Sequence, residues 1–272
     1  MQQEKLKNKG DIKYLSIDDW LSEDLVIAFS TRVGGYSSHQ YTSLNLGLHV
    51  GDNKDQVINN RRKFLSYFDI ELSSTVSCEQ VHGNKIIRVT DKHKGLGAYS
   101  DESSLLGYDG MICNTPNLYL LTYYADCVPV FFYDPQNRAV GLAHSGWKGT
   151  MGNIAVETVY AMEKNFNCHR QDIKVYIGPG IARCCFEIQK DLVEKVSEKY
   201  NEISDIILLK DNNGYKWDLH STVRIMLEKY GVLSKNIICS SLCSFCNSDL
   251  FFSYRRDRGS TGRMTALIGL SN

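Results

Sequence analysis

A chain of 272 residues, 43% hydrophobic and 23% charged, has the composition of a globular protein and is long enough to bury about three quarters of the surface its unfolded form exposes. Disordered and fibrous classes are excluded on that ground. Lysine plus arginine equal aspartate plus glutamate at 31 each, so no excess of positive charge suits duplex nucleic acid, and a small-molecule substrate is expected.

Residues 1–11 are polar and lysine-rich with no apolar stretch behind them, unlike a signal peptide. A cytoplasmic protein is therefore expected, its nine cysteines reduced or ligating metal rather than forming a disulfide framework. We read residues 1–24 as a polar N-terminal extension and 25–272 as one catalytic domain. The densest apolar run, 128–133, is strand-sized, so no membrane span is expected.

A strand over 25–30 ends in the glycine turn Thr31-Arg32-Val33-Gly34-Gly35. Asp52 or Asn53 caps a helix that keeps Val57, Ile58, Phe64, Leu65 and Phe68 roughly on one face and turns Arg61, Arg62 and Lys63 to solvent. Runs at 74–80 and 85–90 read as strands flanking a hairpin-like bend at His82. Three more strands follow at 118–124, 128–133 and 139–143, with Cys127 between the first two and His144 closing the third. The last two are joined by the turn Asp134-Pro135-Gln136-Asn137.

Glycines at 146, 149 and 152 lead into a helix with Ile154, Val156, Val159, Met162 and Phe166 as buried positions. The segment lacks the Gly-Lys-Ser/Thr ending of a P-loop. A strand at 173–177 ends in Gly178-Pro179-Gly180-Ile181, which lacks the third glycine of a dinucleotide fingerprint. Helices at 189–200 and 218–230 and strands at 236–240 and 264–270 complete a mixed α/β chain.

Chemistry concentrates at Gln80-Val81-His82-Gly83, Ala125-Asp126-Cys127 and His144-Ser145-Gly146-Trp147-Lys148-Gly149. Each site lies where a strand ends, and glycine beside both histidines lets backbone or ligand come close. Two imidazoles and a thiolate suit Zn(2+), and three protein ligands leave the fourth tetrahedral position open, as catalytic zinc requires. The plain alternative is three unrelated buried residues. Asp126, directly before Cys127, is a candidate general base or acid, or a carboxylate that orients a histidine; otherwise it caps a turn. Asp109 in Tyr108-Asp109-Gly110 is a weaker counterpart. His49, His93, His169 and His220 have no such context and read as ordinary surface or core residues. Cys243-Ser244-Phe245-Cys246 has the spacing of a metal or redox pair, but Cys239 and the adjacent Cys184 and Cys185 complete no recognised zinc knuckle.

These segments, together with Ser43-Leu44-Asn45-Leu46-Gly47, Gly178-Pro179-x-Ile181, Phe252-Ser253-Tyr254-Arg255-Arg256 and Thr261-Gly262-Arg263, resemble in order the motifs of the YfiH-like family from near residue 25 to the C-terminus. That family is described both as multicopper polyphenol oxidoreductases or laccases and as purine nucleoside phosphorylases with adenosine deaminase activity. The resemblance implies a layered α/β sandwich of mixed β-sheets flanked by helices, and a zinc centre at His82, Cys127 and His144. It further implies activity on adenosine, inosine and S-methyl-5'-thioadenosine, with phosphate as co-substrate. The sequence departs from the family's usual pattern where Ser145 and Lys148 stand for Ala and Arg, and where Phe186 stands for a frequent Tyr. Lys148 keeps the charge but not the planar fork of arginine.

Arg32, Lys148 and Arg255 are candidate anion holders and Asn45 a candidate donor to sugar or base. Copper is a weaker expectation, because the chain has neither paired His-x-His motifs nor the closely spaced ligands of a multicopper cluster. Two other functions compete. One is a cysteine-dependent hydrolase or amidase, such as an editor of peptidoglycan precursors, with Cys127 as nucleophile and a histidine as base. The other is a metal-stabilised interaction module. A monomer or homodimer suits any of these.

Overall fold

The structure, a computed structural model, describes residues 4–20, 24–211 and 214–272. Its strands in chain order are β1 (Glu4–Lys9), β2 (Ile12–Ile17), β3 (Leu25–Ser30), β4 (Thr75–Ser77), β5 (Ile86–Arg88), β6 (Gly110–Cys113), β7 (Leu118–Tyr124) and β8 (Val128–Asp134). They continue with β9 (Ala139–Ser145), β10 (Lys174–Ile177), β11 (Glu187–Ile188), β12 (Leu208–Asp211), β13 (Gly214–Trp217), β14 (Ile237–Cys239) and β15 (Met264–Leu270). The helices are α1 (Lys54–Ser66), α2 (Trp147–Met151), α3 (Ile154–Phe166), α4 (Lys190–Lys199), α5 (Ser204–Ile207) and α6 (Leu219–Tyr230).

Two six-stranded mixed sheets form the centre, in the orders β1-β2-β3-β15-β7-β4 and β14-β10-β8-β9-β6-β5, and β11, β13 and β12 make a small third sheet. The side-chain period of two sorts the strands' residues between layers. In β7, Leu118, Leu120 and Tyr124 enter the core between the large sheets, whereas Tyr119, Leu121 and Tyr123 meet the outer core with Phe64 and Leu65 of α1. In β8, Phe131 and Tyr133 join the central core, and Val128, Val130 and Phe132 pack outward with Ile154, Val159 and Met162 of α3. The result is a layered sandwich, helix on sheet on sheet on helix. Every residue of β7, β8, β9 and β15 is buried, as strands covered on both faces require.

The chain changes sheets twice near the candidate site. β7 belongs to the first sheet and β8 to the second, so residues 125–127 are the passage between layers. The hairpin expected around His82 does not form. β4 runs parallel to β7 in the first sheet, whereas β5 runs parallel to β6 in the second. Gln80 and His82, each with φ of 62°, turn the chain across the gap. Alternation alone cannot report this, because it shows that a run is a strand but not which partner it takes.

Two further differences stand out. The segment ahead of Leu25 adds β1 and β2 antiparallel to the first sheet, and Glu4 accepts a hydrogen bond from Ser240 Oγ at 2.7 Å. Arg61, expected on a solvated face, is 1% exposed. Its Nε donates to Leu46 O at 2.8 Å and its Nη1 to Gly97 O and Ala98 O at 2.7 Å, with the guanidinium over the Tyr123 ring. Asn53 caps α1 by accepting from Gln56 N–H, and Asp218 caps α6 through Ser221 N–H. Among the described residues no helix is long and apolar enough to cross a membrane.

Candidate metal centre and substrate cavity

His144 follows the parity of Val140 and Leu142 in β9 and therefore points into the layer between the sheets, at its rim. Cys127 lies on the passage from β7 to β8, and His82 on the turn that leaves the first sheet. One donor atom from each of the three lies within 4.8 Å of the others, and the two imidazole rings are 4.9 Å apart at 77°. Three side chains distant in sequence thus form one donor set of two nitrogens and a sulfur.

Asp109, fully buried at the entrance to β6, organises that set. Its Oδ1 accepts His82 N–H at 2.8 Å and lies 2.9 Å from His144 Nδ1, and its Oδ2 accepts Gly83 N–H at 2.7 Å. The left-handed turn at His82 is held by this carboxylate. With Nδ1 of His144 bound to Asp109, Nε2 is left to face the other donors, the arrangement usual for a metal-binding histidine. Burial works against the Asp109 charge, but the hydrogen bond and charge of His144 and the amides of residues 82 and 83 hold its pKa below the ordinary value.

Burial also disfavours the Cys127 thiolate, yet the charge of His144 and hydrogen bonds from His144 and His82 bring the thiol down to about 6. His144 is pushed the other way, to about 9: burial opposes its charge, and Cys127 and Asp109 outweigh it. The donors are therefore arranged for a positive charge among them, and two nitrogens with a thiolate fit zinc. Gly146 leaves room for this packing. A Cβ there would come within 3.0 Å of Cys127 Sγ and 3.1 Å of His82 Cδ2. At Gly149 a Cβ would meet Gly83 O at 3.0 Å, so the glycines of the segment after His144 bring α2 against the turn at His82.

His82, Cys127 and His144 line a cavity of about 470 Å³ with Phe186, Tyr254, Arg255 and Arg263. That volume is in the range of small-molecule sites. Of the residues expected to bind substrate, Arg255 lines it. Arg32 instead donates to Thr42 O and Ser248 O and lies over the Phe252 ring. Asn45 is buried, donating to Asp52 and accepting from Gly47 N–H and Arg263 N–H. Lys148 is exposed on α2 beside the Trp147 ring. Asp126 borders the cavity, but its carboxylate accepts from Ser244 Oγ and Arg255 N–H, both at 2.7 Å, so it fastens two loops while Asp109 holds the histidine.

Arg263 and His49 also line the cavity, and neither is singled out by the sequence as a site residue. Arg263 stands at the end of Thr261-Gly262-Arg263, a signal that could have found it. Desolvation and the nearby Arg263 press the His49 pKa downward, although its side chain is half-exposed and Asp101 Oδ2 lies 3.7 Å from its Nδ1.

Residues 26–271 match the sequence profile of the family described as multi-copper polyphenol oxidoreductase laccase. The chain belongs to this YfiH-like family. A Geobacillus stearothermophilus relative named purine nucleoside phosphorylase YlmD is 39% identical over 245 residues, 90% of this chain and 89% of the relative. The Bacillus subtilis protein of the same name is 35% identical over 261 residues, 94% of each chain. The crystal structure of YlmD from Geobacillus stearothermophilus superposes with a TM-score of 0.93 at 36% identity, covering 98% of this chain and 99% of that one. The Bacillus licheniformis hypothetical protein YfiH superposes with a TM-score of 0.92 at 37% identity, covering 97% and 98%. Family membership therefore rests on sequence and fold together.

Proposed function

We propose that the chain is a zinc-dependent purine nucleoside phosphorylase. Adenosine, inosine and S-methyl-5'-thioadenosine give the free base and ribose 1-phosphate or its methylthio analogue, and adenosine deamination is a second reaction of the same centre. The observation that carries this reading is the three-donor set of His82, Cys127 and His144 lining a cavity of nucleoside size. Catalytic zinc characteristically has three protein ligands. The names of the relatives support the substrate class. The site gathers three donors, fewer than a multicopper cluster needs, which favours zinc.

When bound, zinc would supply a Lewis acid to polarise a reacting oxygen. The chain's own residues do the rest. Asp109 keeps the proton of His144 on Nδ1 and so fixes Nε2 as the donor. Arg255 and Arg263 give the cavity the positive charge that holds phosphate, and the faces of Phe186 and Tyr254 suit a purine ring. In phosphorolysis a phosphate oxygen bonds to the anomeric carbon as the glycosidic C–N bond breaks, its electron pair passing into the purine. Holding phosphate beside that carbon is what the arginines contribute.

The depressed Cys127 pKa of about 6 beside His144 favours one second reading, a thiol-dependent hydrolase that works without metal. Metal analysis combined with chromatography of nucleoside products, with and without phosphate, separates the two. Base release that needs phosphate, follows zinc content and collapses in His82→Ala, Cys127→Ser and His144→Ala is the expected result. Full turnover in chelated protein, lost in Cys127→Ser, would refute it in favour of the thiol.

A further inference from the structure

Cys184, Cys185, Cys243 and Cys246 bring four sulfurs together, each within 4.8 Å of the others, at a place that the three-donor centre does not use. Sequence spacing offers only Cys243 and Cys246 as a pair; the fold adds the two adjacent cysteines of the loop after β10. Cys246 Sγ lies 3.3 Å from Cys185 Sγ and 3.7 Å from Cys184 Sγ. Those separations are far beyond an S–S bond of about 2.05 Å. They are close to the edge of about 3.8 Å that follows from four sulfurs placed tetrahedrally about 2.3 Å from a zinc ion.

We infer that these four cysteines form a second, structural zinc site with an all-thiolate shell. The backbone is already built for it. Gly180 pairs with Cys243 as an isolated bridge, Ser244 N–H donates to Gly180 O at 2.9 Å, and Ala182 N–H points at Cys243 Sγ at 3.4 Å. An amide donor to a sulfur stabilises its anionic form, and Lys216 lies within electrostatic reach of Cys185. Binding releases the four thiol protons to solvent and leaves a complex with two negative charges, with no change of oxidation state. A set of four protein ligands is closed, so this ion holds structure and takes no substrate.

What it holds is one wall of the substrate cavity. Phe186 follows Cys185 directly, and Ser244, within the Cys243–Cys246 loop, donates to the Asp126 carboxylate that also accepts Arg255 N–H. Arg256 adds hydrogen bonds from Nη1 to Ser244 O and Phe245 O. The ion thus clamps the loops that carry Phe186 and Arg255.

The test is zinc stoichiometry and zinc-edge X-ray absorption on the reduced, zinc-loaded full chain. It compares wild type, His82→Ala/Cys127→Ser/His144→Ala and Cys184→Ser/Cys246→Ser. The triple variant is expected to keep one zinc in an all-sulfur shell at about 2.3 Å, and the double variant to lose that ion. Alkylation of the wild-type protein covers the case of a variant that does not fold. The exposed Cys184 and Cys246 are expected to resist alkylation until a chelator is added. A triple variant that folds without zinc, or Cys184 and Cys246 alkylating at one rate with and without zinc, would overturn the site. Wild type with a single zinc in an all-sulfur shell would sustain it and refute instead the zinc assignment at His82, Cys127 and His144.

Discussion

Replacing Asp109 with Asn preserves shape and removes charge, and the consequence can be worked out atom by atom. The carboxylate meets three donors, His82 N–H at 2.8 Å and His144 Nδ1 at 2.9 Å on one oxygen and Gly83 N–H at 2.7 Å on the other. An amide has one acceptor oxygen. In the orientation that loses least, its NH2 faces Gly83 N–H and leaves a buried donor unmet, costing about 1–3 kcal/mol. The bond to His144 also loses its charge assistance, about half of its roughly 1.5–3 kcal/mol. Metal-free Asp109→Asn should therefore unfold with about 2–4 kcal/mol less stability, by denaturant titration in chelator. Zinc affinity should fall by about 10- to 100-fold in competition with a chromophoric chelator, the range for outer partners of a ligating histidine. Wild-type zinc affinity together with an unchanged denaturant midpoint would refute the role assigned to Asp109.

Metal-free protein should show a urea midpoint that is nearly level between about pH 6.5 and about pH 9, because His144 and Cys127 contribute opposite slopes there. His144, raised from 6.5, contributes stability that is complete below 6.5 and lost as pH rises through about 9. Cys127, lowered from 9.0, contributes stability that is complete above 9.0 and lost as pH falls through about 6, so Cys127→Ser should leave the His144 loss uncompensated and the urea midpoint falling as pH rises above 6.5. Gly146→Ala should weaken zinc binding while leaving the metal-free melting temperature near wild type, since φ of −72° suits alanine and the added carbon meets only the donor set at 3.0 and 3.1 Å. Arg61→Met should lower unfolding free energy by about 3 kcal/mol or more by calorimetry, because three buried carbonyls lose a charged donor.

The sequence was most legible where local chemistry and local geometry coincide. His82, Cys127 and His144 stand out because glycine and strand ends surround them, and β3, β7 and β15 begin and end where apolar runs do. Relations between layers were not legible. Asp126 looked better placed than Asp109 because it neighbours Cys127 in sequence, yet chain adjacency turned its carboxylate toward Ser244 and Arg255. Arg61 looked solvated because charge usually is, and nothing local reveals that the carbonyls of Leu46, Gly97 and Ala98 converge on it. The gathering of Cys184 and Cys185 with Cys243 and Cys246 depends on the Gly180 bridge, a contact between distant loops.

The passage at residues 125–127 gives the centre an unusual dependence. Its donors come from the exit of β4 in one sheet, from the end of β9 in the other, and from the short link between β7 and β8. An ion held there joins the two leaves of the sandwich, so its occupancy and their alignment form a single equilibrium. Truncating Leu120 or Leu142, which pack between the leaves and set how they nest, would then be felt as a change in metal affinity.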